Sequence, residues 1–112
     1  MLYIKSGNWI CLTRGDTARI TVDIIDSFEE QHEIKDDDIL ILSVKETTRS
    51  DNYCLQKKII GSNMFYIKPE DTEHMNFQKY KYDVQLVTNN DVYTVIEPST
   101  FEILPEVTTT WQ

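Results

Sequence analysis

The sequence predicts an all-β fold of about seven or eight short strands with one short helical turn. Short segments that alternate apolar and polar residues recur along the chain. Turn residues separate these segments at regular intervals, which favours a sandwich or a barrel. Within 67–86, a capped helical turn leads into a strongly alternating strand. This arrangement is typical of the crossover between the two sheets of an antiparallel sandwich.

The first strands are marked by alternation and by the turns between them. One strand covers 9–13 and ends at the turn residues Arg14-Gly15-Asp16, and the next covers 17–25. The segment 26–38 is polar and acidic, so we predict a long loop there. The residues of the second strand that should face inward are Ala18, Ile20, Val22 and Ile24.

A continuous apolar run, 39–44, forms the next predicted strand. Its shortness and its β-forming neighbours favour a strand over a helix, with Leu40, Leu42 and Val44 facing the core. Ile39 and Ile41 would then lie on the outer face. The facing of the following strand, 53–60, stays open, and a turn at 61–63 leads to a strand over 64–67.

The helical turn is predicted near Glu70–Met75. Pro69 suits a first helical turn, and Asp71 and Thr72 can cap free N–H groups there. From Tyr80 the pattern changes to period two, which places one set of side chains on the core face: Tyr80, Tyr82, Val84 and Leu86. We expect one tyrosine hydroxyl to bond the backbone near Pro69–Thr72, as in a tyrosine corner.

The last strands follow a hairpin turn at Asn89-Asn90-Asp91. A strand over 92–96 is predicted to stop at Pro98, a second covers 100–104, and Pro105 ends it, leaving 105–112 as an extended tail. The predicted core includes Ile20, Val22, Leu40, Leu42, Val44, Tyr82, Val84, Leu86 and Phe101.

Length and charge limit the function. The 112 residues fit a single domain over 1–112, and the net charge is −8, with 19 acidic and 11 scattered basic residues. This charge argues against nucleic acid and against anionic membranes. No apolar run approaches the roughly 20 residues of a spanning helix, and the amino terminus does not resemble a signal peptide. Cys11 and Cys54 are isolated, so free thiols are favoured over a disulfide between them.

The sequence indicates no catalytic, cofactor or metal site, and we expect no small-molecule ligand. His32-Glu33 and Glu73-His74 are the only histidine–carboxylate neighbours, and adjacent side chains point apart. Asp36-Asp37-Asp38 lacks the spacing of a calcium loop, so it is interpreted as a solvated acidic loop. Arg14-Gly15-Asp16 matches an adhesion tripeptide, but a tight turn explains it.

Several segments, taken in order, carry a resemblance to a known family. They are Gly15-Asp16-Thr17, Ser43-Val44-Lys45, Gln56-Lys57, Pro69-Glu70-Asp71-Thr72, the strand Tyr80 to Leu86, Thr94-Val95-Ile96 and Phe101-Glu102-Ile103. This order resembles the immunoglobulin-like domain of tailed-bacteriophage structural proteins. It is similar to the amino-terminal module of baseplate upper proteins and to short proteins of prophage structural regions. The resemblance covers Ile10 to Val107, although Gln78-Lys79 replaces a glycine often found before the tyrosine strand.

The resemblance implies an immunoglobulin-like antiparallel β-sandwich that serves as a non-catalytic virion protein of the tail or baseplate. Such a protein is made in the bacterial cytoplasm without a signal peptide and enters the virion if a phage encodes it. Its expected partners are other virion or tail proteins and further copies of itself. The candidate interface residues are Ile39, Ile41, Trp9, Tyr93 and Trp111. The alternative is a carbohydrate-binding or adhesion module, which the tryptophans favour.

Overall fold

The computed structural model describes residues 1–25 and 32–107. The predicted all-β fold is confirmed, because the described chain contains eight strands and one helical turn. In chain order these elements are β1 (Leu2–Lys5), β2 (Trp9–Thr13), β3 (Ala18–Thr21), β4 (Ile39–Lys45), β5 (Leu55–Ile60), β6 (Met64–Ile67), α1 (Pro69–Thr72), β7 (Lys79–Thr88) and β8 (Asp91–Leu104).

The strands form two sheets that enclose one core. The larger sheet has the order β1-β2-β8-β7-β4-β5, and the smaller sheet pairs β3 with β6. All strand pairs in the described chain are antiparallel except β2 and β8, which run parallel with Ile10 opposite Phe101. Side chains from both sheets contribute to a single hydrophobic cluster, so the domain is a β-sandwich.

All nine predicted core residues are buried. The core also takes Ile10 and Leu12 from β2 and Phe65 and Ile67 from β6, each at most 2% exposed. Each fully buried side chain of this size stabilises the fold by roughly 1.5–3 kcal/mol. The period-two pattern therefore identified the inner face of the larger sheet correctly.

Strand β1 was not predicted. It pairs with β2 through a turn in which Gly7 and Asn8 both have positive φ, +78° and +61°. Three of its four residues are exposed. Because only Leu2 of this edge strand packs against the core, its sequence shows no alternation that could indicate it.

The predicted interruption at Pro98 is wrong. Strand β8 runs for 14 residues through this position, and a β-bulge shifts its register against β7 near Tyr82 and Val84. Pro98 has no cross-strand partner in that register, so its missing N–H removes no ladder hydrogen bond. Strand β8 ends at Leu104, immediately before Pro105, as predicted.

The helical turn starts earlier and is shorter than predicted. Asp71 performs the expected capping, since its Oδ2 accepts a hydrogen bond from the Lys68 backbone N–H at 2.7 Å. The expected cap at Thr72 is wrong. Thr72 is fully buried, and its Oγ1 accepts a bond of 2.9 Å from the Gly15 N–H. This bond fastens α1 to the turn after β2.

Both core tyrosines bond the backbone, but at positions other than Pro69–Thr72. The Tyr80 hydroxyl accepts a bond from the Asn76 N–H at 2.8 Å and donates one to the Asn76 carbonyl at 3.2 Å. The Tyr82 hydroxyl donates to the Asn8 carbonyl at 2.6 Å. Burial raises the pKa of Tyr82 to about 12. The two tyrosines thus hold the turns before β7 and before β2.

Candidate functional site: the outer face of the larger sheet

The outer face of the larger sheet begins with a row of branched apolar side chains. Cross-strand partners share a face and lie side by side. Ile39 lies opposite Ile60 on one side and Val87 on the other, and Val87 lies opposite Val92. We call these four residues the apolar row. Ile60 and Val92 are 63% and 60% exposed, which is unusual for a β-branched row at a sheet face.

A polar trough of about 480 Å³ occupies the middle of the outer face. Ile41, Asp83, Gln85 and Tyr53 are among the residues that line it. Nearby, Gln56 Nε2 donates a hydrogen bond of 3.0 Å to Ser43 Oγ across β4 and β5. Burial raises the pKa of Asp83, against the opposing effect of the Lys45 ammonium. The trough offers hydrogen-bonding groups and one aromatic ring to a polar partner.

Lysines occupy the opposite end of the face. Lys45 lies directly opposite Lys81, and Lys5 lies opposite Trp9. We call Lys5, Lys45, Lys79 and Lys81 the basic band. Three of its ammonium groups lie over aromatic rings: the Nζ atoms of Lys5 and Lys79 lie 4.5 and 4.8 Å from the Trp9 ring centroid, and that of Lys45 lies 4.9 Å from the Tyr53 ring centroid. Like charges on neighbouring strands repel each other, and an acidic partner would reduce this repulsion by pairing with the lysines.

The structure divides the candidate interface residues. Ile39 and Ile41 lie on the outer face as predicted, but they are half-buried because cross-strand neighbours flank them. Trp9 is also half-buried, and its Nε1 donates a bond of 3.2 Å to Glu102. Tyr93 is 53% exposed, yet it lies opposite Leu86, on the core side of the sheet. Trp111 lies outside the described residues.

Arg14 of the adhesion-like tripeptide is engaged within the domain. Its guanidinium makes a bidentate contact with Glu106, the shortest distance being 2.7 Å, and lies 4.2 Å from the Phe77 ring centroid. The hydrogen bond from Arg14 lowers the pKa of Glu106. The tripeptide therefore joins the end of β2 to the segment after β8.

Asp38 is a buried charge that the sequence did not reveal. It was predicted to be part of a solvated loop, but it is 1% exposed, whereas Asp36 and Asp37 are exposed. Its Oδ2 accepts a bond of 3.0 Å from the Lys35 N–H and lies 3.0 Å from His32 Nε2. The Lys35 bond is the main cause that lowers the pKa of Asp38 to about 2. The signal that could have revealed it was the apolar strand beginning at the next residue.

Both cysteines are free thiols in the interior or partly buried. Cys11 is a buried free thiol, and Cys54 is a half-buried one whose pKa is raised by burial, which disfavours the nucleophilic thiolate. Across 1–25 and 32–107, no group of three or more His, Cys, Asp or Glu residues is arranged to hold a metal ion. The same residues include no helix with the length and hydropathy needed to cross a membrane.

A second groove, of about 440 Å³, lies at the core side of the β7–β8 hairpin. Tyr93, Leu86 and Thr88 line it together with Ile25 and His32. Ile25 and His32 border 26–31, which are not among the described residues, so this groove is not a candidate site. Comparison with known proteins adds no candidate: no protein-family model, curated protein or solved structure matches the chain.

Proposed function

We propose that this protein is a non-catalytic assembly module that works by docking its outer sheet face, and that it is a structural component of a phage or prophage particle, in the tail or baseplate. The observation that carries the docking role is the apolar row, with two β-branched side chains more than half exposed. The phage setting comes from the sequence resemblance alone.

The polar groups that stand out in the structure already have bonding partners within the domain, which supports a role without catalysis. Arg14 is bound to Glu106, and Asp38 is bound to Lys35 and His32. Both tyrosine hydroxyls of β7 are occupied by backbone groups. General acid–base or nucleophilic catalysis requires such groups to face a substrate. In this domain they hold turns together instead.

The particle assignment is tested by purifying tail particles from the host and asking whether the protein sediments with them. Location of the gene among tail and lysis genes is the accompanying observation. Replacing Ile39 and Ile41 by lysine should preserve the far-UV spectrum and weaken incorporation. The proposal fails if the protein is absent from particles and no structural genes lie nearby.

A carbohydrate-binding or adhesion module is the second candidate, and the polar trough is the observation that favours it. Tyr53 could stack on a sugar ring while Gln85 and Asp83 bind its hydroxyls. However, Lys45 Nζ already lies 4.9 Å from the Tyr53 ring centroid, and Trp9 is overlaid by two lysines. Glycan binding that is lost in Tyr53→Ala or Trp9→Ala would support this candidate over the first.

A further inference from the structure

The charges of the described chain are segregated between the outer face and the remaining surface. The cross-strand register places five lysines on this face: Lys5, Lys45, Lys58, Lys79 and Lys81. At the paired positions only Asp83 and Glu102 oppose them, so these positions carry +3. The other described residues include six basic and fourteen acidic side chains, which gives −8. A basic face on an acidic protein indicates an acidic partner.

The chain itself presents a suitable acidic group at one end of the same sheet. Asp36 and Asp37 precede β4, whereas Asp91 at the hairpin lies on the core side of the sheet, where it accepts a bond from the Tyr93 hydroxyl. Asp36 and Asp37 are both exposed, and we call them the acidic tip. The tip adjoins the apolar row, since Ile39 follows it closely on β4. Lys45, at the far end of β4, lies about 20 Å away along the strand.

We propose that the outer face is the interface of a symmetric dimer of this chain, with the two sheets stacked face to face and their strands antiparallel. A two-fold axis that runs across the strands places β4 on the partner's β4 and β7 on its β7. The lysines of β4 and β7 in each basic band then cover the other copy's apolar row and acidic tip. Lys45, with Lys81 beside it on β7, faces Asp37 of the second copy.

The chemistry of the two ends fits this arrangement. A lysine stem is apolar and packs on side chains such as Ile39 and Val87, while its ammonium group extends toward carboxylates beyond them. A two-fold axis along the strands would instead stack band on band and oppose like charges. Sheet-on-sheet packing within about 30° of alignment is the ordinary geometry of two twisted sheets. Closed two-fold pairing is also the commonest form of self-association.

A nucleic acid is a less suitable occupant of the face. Asp83 and Glu102 would repel phosphate groups, and the net charge of −8 opposes binding over longer distances. The Trp9 and Tyr53 rings, which could stack on bases, already have lysines over them. A protein partner can present charges of both signs, so it can pair with the lysines and also with Asp83 and Glu102.

The expected dimer is weak. Only β8, β7, β4 and β5 run the length of the face, because β1 and β2 flank its basic end alone. Four strands at about 4.8 Å spacing and about 20 Å of strand length give a footprint of roughly 400 Å² per copy. About 800 Å² in total is below the size of a typical stable interface, so we expect transient association, weaker than micromolar. The inference deepens the proposed assembly function and rests on it. The test below uses the purified chain alone, so its failure is distinguishable from absence in particles.

The decisive experiment is a charge swap followed by analytical ultracentrifugation over a concentration series. One variant carries Lys45→Glu and Lys81→Glu, and the other carries Asp36→Lys and Asp37→Lys. Each variant alone should dissociate at least about tenfold more readily than the unaltered chain, because like charges now meet at every contact. An equimolar mixture should dimerise again, since the acidic band of one variant meets the basic tip of the other.

A matched control carries Arg19→Glu and Lys68→Glu, two exposed residues away from the outer face. It changes the net charge by the same amount as the band variant and should dimerise almost as well as the unaltered chain. Far-UV spectra identify any variant that fails to fold. Persistence of the monomer in the unaltered chain overturns the proposal, as does association that neither swap weakens or that the mixture does not restore.

Discussion

Replacing Tyr80 by phenylalanine should destabilise the domain although the ring stays in the core. Tyr80 is 2% exposed, and its hydroxyl both accepts from and donates to the Asn76 backbone, at 2.8 and 3.2 Å. Each hydrogen bond contributes about 1 kcal/mol net, so the loss of both should cost about 2 kcal/mol. For a chain of this size about 4 °C accompanies each kcal/mol, and Tm should fall by about 8 °C.

Thermal and urea unfolding, followed by circular dichroism, measure this effect. Tyr82→Phe removes a single bond, to the Asn8 carbonyl, and should cost about half as much. Tyr66→Phe, on a residue 38% exposed, is the control and should leave Tm within about a degree. If Tyr80→Phe has the same Tm as the Tyr66→Phe control, the hydroxyl does not hold the turn before β7 and the reasoning is refuted.

Three further predictions follow from the buried and turn positions. Gly61→Ala should lower the free energy of unfolding more than Gly7→Ala. Both glycines have positive φ, but of the two only Gly61 would bring a new Cβ against backbone, 2.9 Å from the Asp36 carbonyl oxygen. Equal losses in urea unfolding would contradict this. The lowered pKa of Asp38 contributes stability that is present above about pH 4 and lost as pH falls toward 2, and Asp38→Asn should flatten that part of a stability–pH curve. Thiol counting should find two free thiols after denaturation and faster labelling of half-buried Cys54 than of buried Cys11 in the native protein; a count of zero would show a disulfide.

Sequence patterns predicted the parts of the fold that depend on burial. Leu40, Leu42 and Val44 alternate because one face of β4 is buried, and the alternation is visible in the chain. The exposed β1 has no such pattern, and the bulge that accommodates Pro98 depends on the partner strand. The target of the Tyr80 hydroxyl was likewise misplaced, because it depends on how far the turn after α1 extends.

The outer face could not be assembled from the sequence for a related reason. Its lysines look scattered along the chain, and only the strand order and register bring Lys5, Lys45 and Lys81 to one end of one face. The composition alone therefore indicates an acidic protein and gives no sign of the basic outer face.

This segregation has a consequence for how association depends on salt. Two copies of charge −8 repel each other as they approach, and salt at 0.1 M screens this repulsion beyond about 10 Å. The proposed contacts between band and tip are shorter than 10 Å, so salt screens them less. Low salt should oppose the encounter, and very high salt should weaken the contacts, so dimerisation should be strongest at intermediate ionic strength. The mixed charge-swap pair carries the same total charge as two unaltered copies. Any association restored by mixing must therefore come from the arrangement of the charges and not from their sum.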